Sequence, residues 1–165
     1  MAVAALLGAN FGAAGIAVLS VEGKNNLDRP YLIFRELGIP VYAVWDCDCG
    51  TEQRKPTINL ALNRLVSGNM NLADPNEETE VDASWAHFQV KLERTLRDEI
   101  TAEVFDRNLA AACAQYDYAL GNEAQKIPDV MHELLLLSQV EGRTSETLEN
   151  LVRAIWRYFR GQELE

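Results

Sequence analysis

The stretch IAVLSVEGKNNLDRPYLIFRELGIPVYAVWDCD, residues 16–48, constrains the fold most. It reads as an apolar run, a Gly turn, an amphipathic segment, Gly-Ile-Pro, a second apolar run and two aspartates one residue apart. Residues 16–21 and 41–45 are short and rich in β-branched or aromatic side chains, which predicts strands buried on both faces. Between them Leu32, Ile33 and Leu37, followed by Gly38, predict a short helix with a glycine stop. Strand, helix and strand joined so closely imply a right-handed parallel unit. In such sheets the chemistry gathers beyond the carboxyl ends of the strands. Glu22, Asp46 and Asp48 all fall at those ends, and an oxygen-rich cluster there favours a hard divalent cation such as Mg²⁺.

Further along, Cys49-Gly50-Thr51 predicts a turn, and Ile58, Leu60, Leu62, Leu65 and Val66 predict a helix over 52–67. Residues 67–82 are polar, with Pro75 and an acidic run, and predict an exposed loop. Residues 85–90 predict a third strand. Beyond Leu92 the apolar spacing is helical, with segments near 92–101, 103–120, 128–140 and 146–161. The last has Ser145 or Thr144 as its cap, acids early and arginines late, which suits the helix dipole. A helix is also expected over residues 2–8. The order is therefore an α/β part over about 1–92, a parallel sheet flanked by helices, and a helical part over about 93–165. A length of 165 residues supports a single domain with a core of its own.

A formal net charge of −10 repels nucleic acid at long range, so DNA binding must lean on metal ions, a local basic patch or a partner chain. The apolar N-terminus lacks a basic flank and is broken by Gly8, Asn10 and Gly12, unlike a signal peptide. No run approaches the ~18 apolar residues of a membrane span. Cys47, Cys49 and Cys113 do not form a secreted disulfide framework, which points to a reducing cytoplasm.

Each candidate residue has a functional and a structural interpretation. Asp46 and Asp48, two apart, can point to one side of a strand end and hold a cation, or simply close the strand in a turn. Glu22 is either a further metal ligand or a polar residue before the Gly23 turn. Lys24-Asn25-Asn26 either binds phosphate or forms a turn. Lys126, just before Pro128, either neutralises charge on a phosphate or is a solvated lysine at a helix start. Glu93 is either a helix N-terminal carboxylate or a further acid of the metal site. A zinc site on Cys47 and Cys49 lacks the other two ligands it needs. His87 and His132 read as structural. The glycines at 8, 12 and 15 precede the first apolar run, which disfavours a dinucleotide fingerprint.

Taken together, these residues resemble the TOPRIM nuclease domain of the OLD (overcoming lysogenization defect) family of endonucleases. The resemblance rests on G-K-N-N at 23–26, G-I-P-V at 38–41 and Asp46-Cys47-Asp48. It continues more softly through Asn63 to Gly68, Phe88 to Glu93, and Lys126-Ile127-Pro128. Val21-Glu22-Gly23 is similar by letters to the family's early V-E-G motif, whose glutamate binds metal. Only one helix separates it from Asp46, so it corresponds better to the end of the family's second strand. The first strand with its glutamate, and the preceding ATPase domain, are then expected to be lacking.

The resemblance implies metal-dependent phosphodiester hydrolysis of DNA with two Mg²⁺ or Mn²⁺ ions roughly 3.5–4 Å apart. It implies that Asp46 and Asp48 hold metal, that Glu93 assists and that Lys126 stabilises the charge developing on phosphorus. Glu22 substitutes for the absent glutamate if its loop reaches Asp46. An ATPase partner chain is a further implication. An uncovered first-strand position predicts either cover by the N-terminal helix or a homo-oligomer. Two alternatives stand beside the nuclease: a non-catalytic TOPRIM-like module that binds metal, nucleic acid or protein, and a receiver-like phosphoacceptor domain. The receiver fold alternates strands and helices to its end, whereas this chain turns helical.

Overall fold

The computed structural model describes Ala4 and residues 6–164; residues 1–3, 5 and 165 lie outside that description. The helix expected over 2–8 falls partly on those positions, and of it Ala4 and Leu6 are helical. The architecture is α/β with a helical C-terminal half. Its described elements divide into two compact units. One comprises Ile16–Leu92 and Arg153–Glu165, the other Met1–Gly15 and Glu93–Val152.

The first unit opens with a 3₁₀ turn, Lys24–Asn26, which runs into helix α1, Asp28–Glu36. Gly38 ends the helix at φ 71, a left-handed conformation that costs glycine nothing, so the expected glycine stop is present. Strand β1, Ala43–Asp46, follows. Helix α2, Pro56–Ser67, carries proline at its start and closes on Gly68 in the left-handed region. It starts four residues later than the apolar spacing suggests, because Pro56 fixes the first turn. Strands β2, Glu80–Val81, and β3, Trp85–Phe88, complete the sheet.

The sheet order is β1-β3-β2. β1 runs parallel to β3, with Ala43 opposite Trp85 and Asp46 opposite Phe88. β2 is antiparallel to β3, so the sheet is mixed where a parallel one was expected. The segment expected to be wholly loop at 67–82 supplies β2, whose two residues are too few to show a period.

Two strand expectations need correction. Residues 16–21 form no strand, and the predicted parallel pairing with β1 is absent. Ile16 at its start is buried, but adjacent Val18 and Leu19 are 64% and 66% exposed, so neither side is covered at the middle of the segment. A β-rich composition makes a strand only where a neighbour offers a hydrogen-bond ladder. β1, in turn, is buried on one side only. Ala43 and Trp45 face a core that holds Tyr31, Leu62 and Trp85, while Val44 is 38% exposed. The Trp45, Trp85 and His87 rings contact one another, with centroids 5.1 to 5.9 Å apart.

From Leu92 onward the helices follow the predicted segments closely. They are α3, Leu92–Ile100, α4, Ala102–Gln115, α5, Pro128–Val140, and α6, Glu146–Arg160. α4 stops five residues short of the predicted end, where Asp117 turns left-handed at φ 55. Asn108 on α4 donates to Ser138 on α5 at 3.1 Å, tying the two together at a buried polar pair. Ser145 is the cap of α6, its hydroxyl accepting from the Leu148 amide at 3.2 Å. No helix among the described residues is long and apolar enough to cross a membrane.

Candidate metal centre

The site grows out of the end of β1. Asp46, Cys47 and Asp48 alternate as strand residues must. Cys47 turns into the core with no exposure, and the aspartates on either side of it are half-buried. Hydrogen bonding to the neighbouring strand continues past the last ladder pair. The amides of Cys47, Asp48 and Cys49 donate to the carbonyls of Phe88, Val90 and Gln89 at 2.8, 3.0 and 2.9 Å. Asp48 then bends into the left-handed region at φ 59. Its carbonyl accepts from the Thr51 hydroxyl at 2.8 Å, which closes the turn.

Both carboxylates have fixed partners. Oδ1 of Asp46 accepts the Leu92 amide at 3.0 Å, the first amide of α3. That is how a helix N-terminus receives an anion. Oδ2 of Asp48 lies 3.0 Å from the Lys24 ammonium, with the two side chains only 15% and 7% exposed. The same ammonium donates to the carbonyls of Asp46 and Cys47, both at 2.9 Å. Lys24 thus spends its three donors on three oxygens of the strand end.

Behind the aspartates lies a brace that sequence reasoning did not identify. Asn59, on α2 and fully buried, donates to the Cys47 carbonyl at 3.0 Å and to Oε1 of Glu77 at 2.6 Å. Arg54 grips Oε2 of Glu77 through Nε at 2.9 Å and Nη2 at 2.6 Å. Burial pushes the Glu77 carboxyl up, but the hydrogen bonds from Arg54 and Asn59 outweigh it and hold it below its ordinary range. Burial, with the adjacent Cys49 thiol, pushes the Cys47 thiol up to about 12. Burial also raises Cys49, so both stay protonated at neutral pH and offer no thiolate pair to a soft metal.

The remaining candidates lie elsewhere. Glu22 is exposed on the turn before Lys24, itself left-handed at φ 57. Glu93 is half-buried in the first turn of α3. Lys126 ends the 3₁₀ turn Asn122–Lys126 and pairs with Glu123 at 2.8 Å on an exposed surface. That hydrogen bond holds the Lys126 ammonium above its ordinary range, and the Glu93 charge adds to the effect. So Asp46, Asp48 and Lys24 converge in the first unit, while Glu93 and Lys126 belong to the second. Among the described residues no three acids, histidines or cysteines converge as a ready-made metal cage.

The donor chemistry fits a hard cation nonetheless. Mg²⁺ is ordinarily held by one or two carboxylates, with water and substrate oxygens completing its shell. Asp46 and Asp48 supply two carboxylates, the carbonyls beside them are oxygen donors, and a positive charge, the Lys24 ammonium, already sits among them. Comparison with curated proteins and with solved structures returns no match. Residues 1–48, ending on the second aspartate of the pair, match the family model described as the overcoming lysogenization defect protein-like TOPRIM domain.

Proposed function

We propose that this chain is a divalent-metal-dependent endonuclease module that cleaves phosphodiester bonds in DNA. The observation that carries the proposal is the pair Asp46 and Asp48, held at the carboxyl end of β1 inside the stretch that matches the TOPRIM model. These two residues hold Mg²⁺ or Mn²⁺. When bound, such a cation lowers the pKa of a water nucleophile and stabilises charge on the phosphate oxygens.

The chain's own groups do the rest. The Leu92 amide keeps Asp46 from turning away from the site. Asn59 and Glu77 anchor the backbone between the aspartates. Lys126 presents an exposed ammonium, kept protonated by Glu123, that suits a phosphate. On this proposal Glu93 is an accessory carboxylate, and Glu22 becomes a third metal ligand only when its exposed turn swings towards Asp46. With a net charge of −10, the protein approaches DNA more readily once cations have neutralised part of its negative charge.

Nicking of supercoiled plasmid tests this. Nicking that requires Mg²⁺ or Mn²⁺ and disappears in Asp48→Asn supports the module as a nuclease. Absence of nicking at every metal concentration overturns autonomous catalysis. It leaves the second proposal, a non-catalytic metal- and nucleic-acid-binding module. That alternative is favoured by the lack of a third converging ligand among the described residues.

A further inference from the structure

We propose that Lys24 is a resident cation of the aspartate cluster, which a divalent metal must displace in order to bind. The inference rests on Asp46 and Asp48 being the metal-binding pair. Three oxygens surround the Lys24 ammonium: Oδ2 of Asp48 at 3.0 Å and the carbonyls of Asp46 and Cys47 at 2.9 Å each. The lysine side chain is 7% exposed, so these oxygens have largely replaced its water. An ammonium in an all-oxygen nest uses the donors that a hard cation uses.

The charges then decide occupancy. Two aspartates and one ammonium leave the cluster with a net charge of about −1. A divalent ion taken up on Asp48 while the ammonium stays lies within a few ångströms of a like charge in a site partly shielded from water, where repulsion is strong. Lys24 is able to leave. It begins a short 3₁₀ turn that follows two left-handed residues, Glu22 at φ 57 and Gly23 at φ 116, and its stem is unbranched. Metal entry therefore swings the ammonium out of the nest into water, where it faces an incoming phosphate. Without metal, Lys24 neutralises the Asp48 carboxylate and ties it to the carbonyls of the strand end.

Mn²⁺ binding, read by the loss of the free-ion electron paramagnetic resonance signal, tests the proposal with the wild-type chain, Lys24→Met and Lys24→Arg. Lys24→Met is expected to bind Mn²⁺ tighter by about 10- to 100-fold, the scale on which groups touching metal ligands alter affinity. Lys24→Arg, which keeps a cation in the nest, stays near wild type. Equal or weaker binding by Lys24→Met overturns the displacement while leaving the metal site intact. Failure of both wild type and Lys24→Met to bind overturns the metal site, and the displacement with it. Should Lys24→Met not fold, the wild-type chain decides: Mg²⁺ is titrated while the Lys24 side-chain carbon resonances are followed. A shift towards the hydrated-lysine position is expected, and an unmoved resonance in the metal-loaded protein overturns the proposal.

Discussion

The Leu92 amide donates to Oδ1 of Asp46 at 3.0 Å, so the carboxylate at the end of β1 also caps the first turn of α3. One side chain therefore serves stability and charge together, and the two roles are separable. Asp46→Asn keeps an oxygen for the amide while losing the negative charge. Asp46→Ala removes both and is expected to cost about 0.5–2 kcal/mol, the range for a lost helix cap. Urea denaturation followed by circular dichroism checks this: Asp46→Asn should unfold near the wild-type midpoint and Asp46→Ala well below it.

Asn59 is expected to matter more for stability than the ion pair it adjoins. It is fully buried and joins the Cys47 carbonyl to Glu77, so Asn59→Ala takes one donor from each, leaving the carbonyl to Lys24 and the carboxylate to Arg54. The loss is expected to be about 1–3 kcal/mol, from two buried or half-buried hydrogen bonds, one of them to a charged group. Arg54, whose side chain is 44% exposed, should cost less on mutation to Ala, since water screens its side of the ion pair and can replace it. Thermal melts of the two variants give the comparison directly, and equal losses would refute this ranking.

His87 predicts how stability depends on pH. Burial holds its imidazole below the ordinary value of 6.5. In the unfolded chain it takes up a proton near 6.5, but in the folded chain only at lower pH. Stability is therefore intact above about 6.5 and falls as the pH drops below it, at no more than about 1.4 kcal/mol per pH unit. Glu77 acts in a separate window. Its carboxyl is held below the ordinary 4.5, so its contribution is intact above that value and lost beneath it. Melting temperatures from pH 7 to 5 should decline for the wild type. They should stay flatter for His87→Phe, which keeps a ring against Trp45 and Trp85.

Local chemistry made much of this structure legible. Gly38, Pro128 and Ser145 mark helix boundaries through their own backbone or capping preferences, and helices end or begin there as expected, whereas α2 starts at Pro56, four residues later than the apolar spacing suggests. The aspartates were legible at a strand end because a short β-rich run stops there. What depended on distant residues was not. Residues 16–21 have strand composition but no ladder partner. Lys24 meets Asp46 across 22 positions, and its Gly-Lys-Asn-Asn context suggested only a turn or a phosphate site. Glu77 lies in a segment read as exposed loop, yet Asn59 reaches it from 18 positions away. Side chains whose partners lie that far along the chain carry no local periodicity.

The central claim is that Asp46 and Asp48 hold a divalent cation at the end of β1. Calorimetric titration with Mn²⁺ of the wild-type chain and of Asp46→Asn tests it most directly, because that substitution keeps the bond to Leu92. The wild type should bind and Asp46→Asn should lose most of its affinity. Equal binding by the two proteins, or none by the wild type, would contradict it.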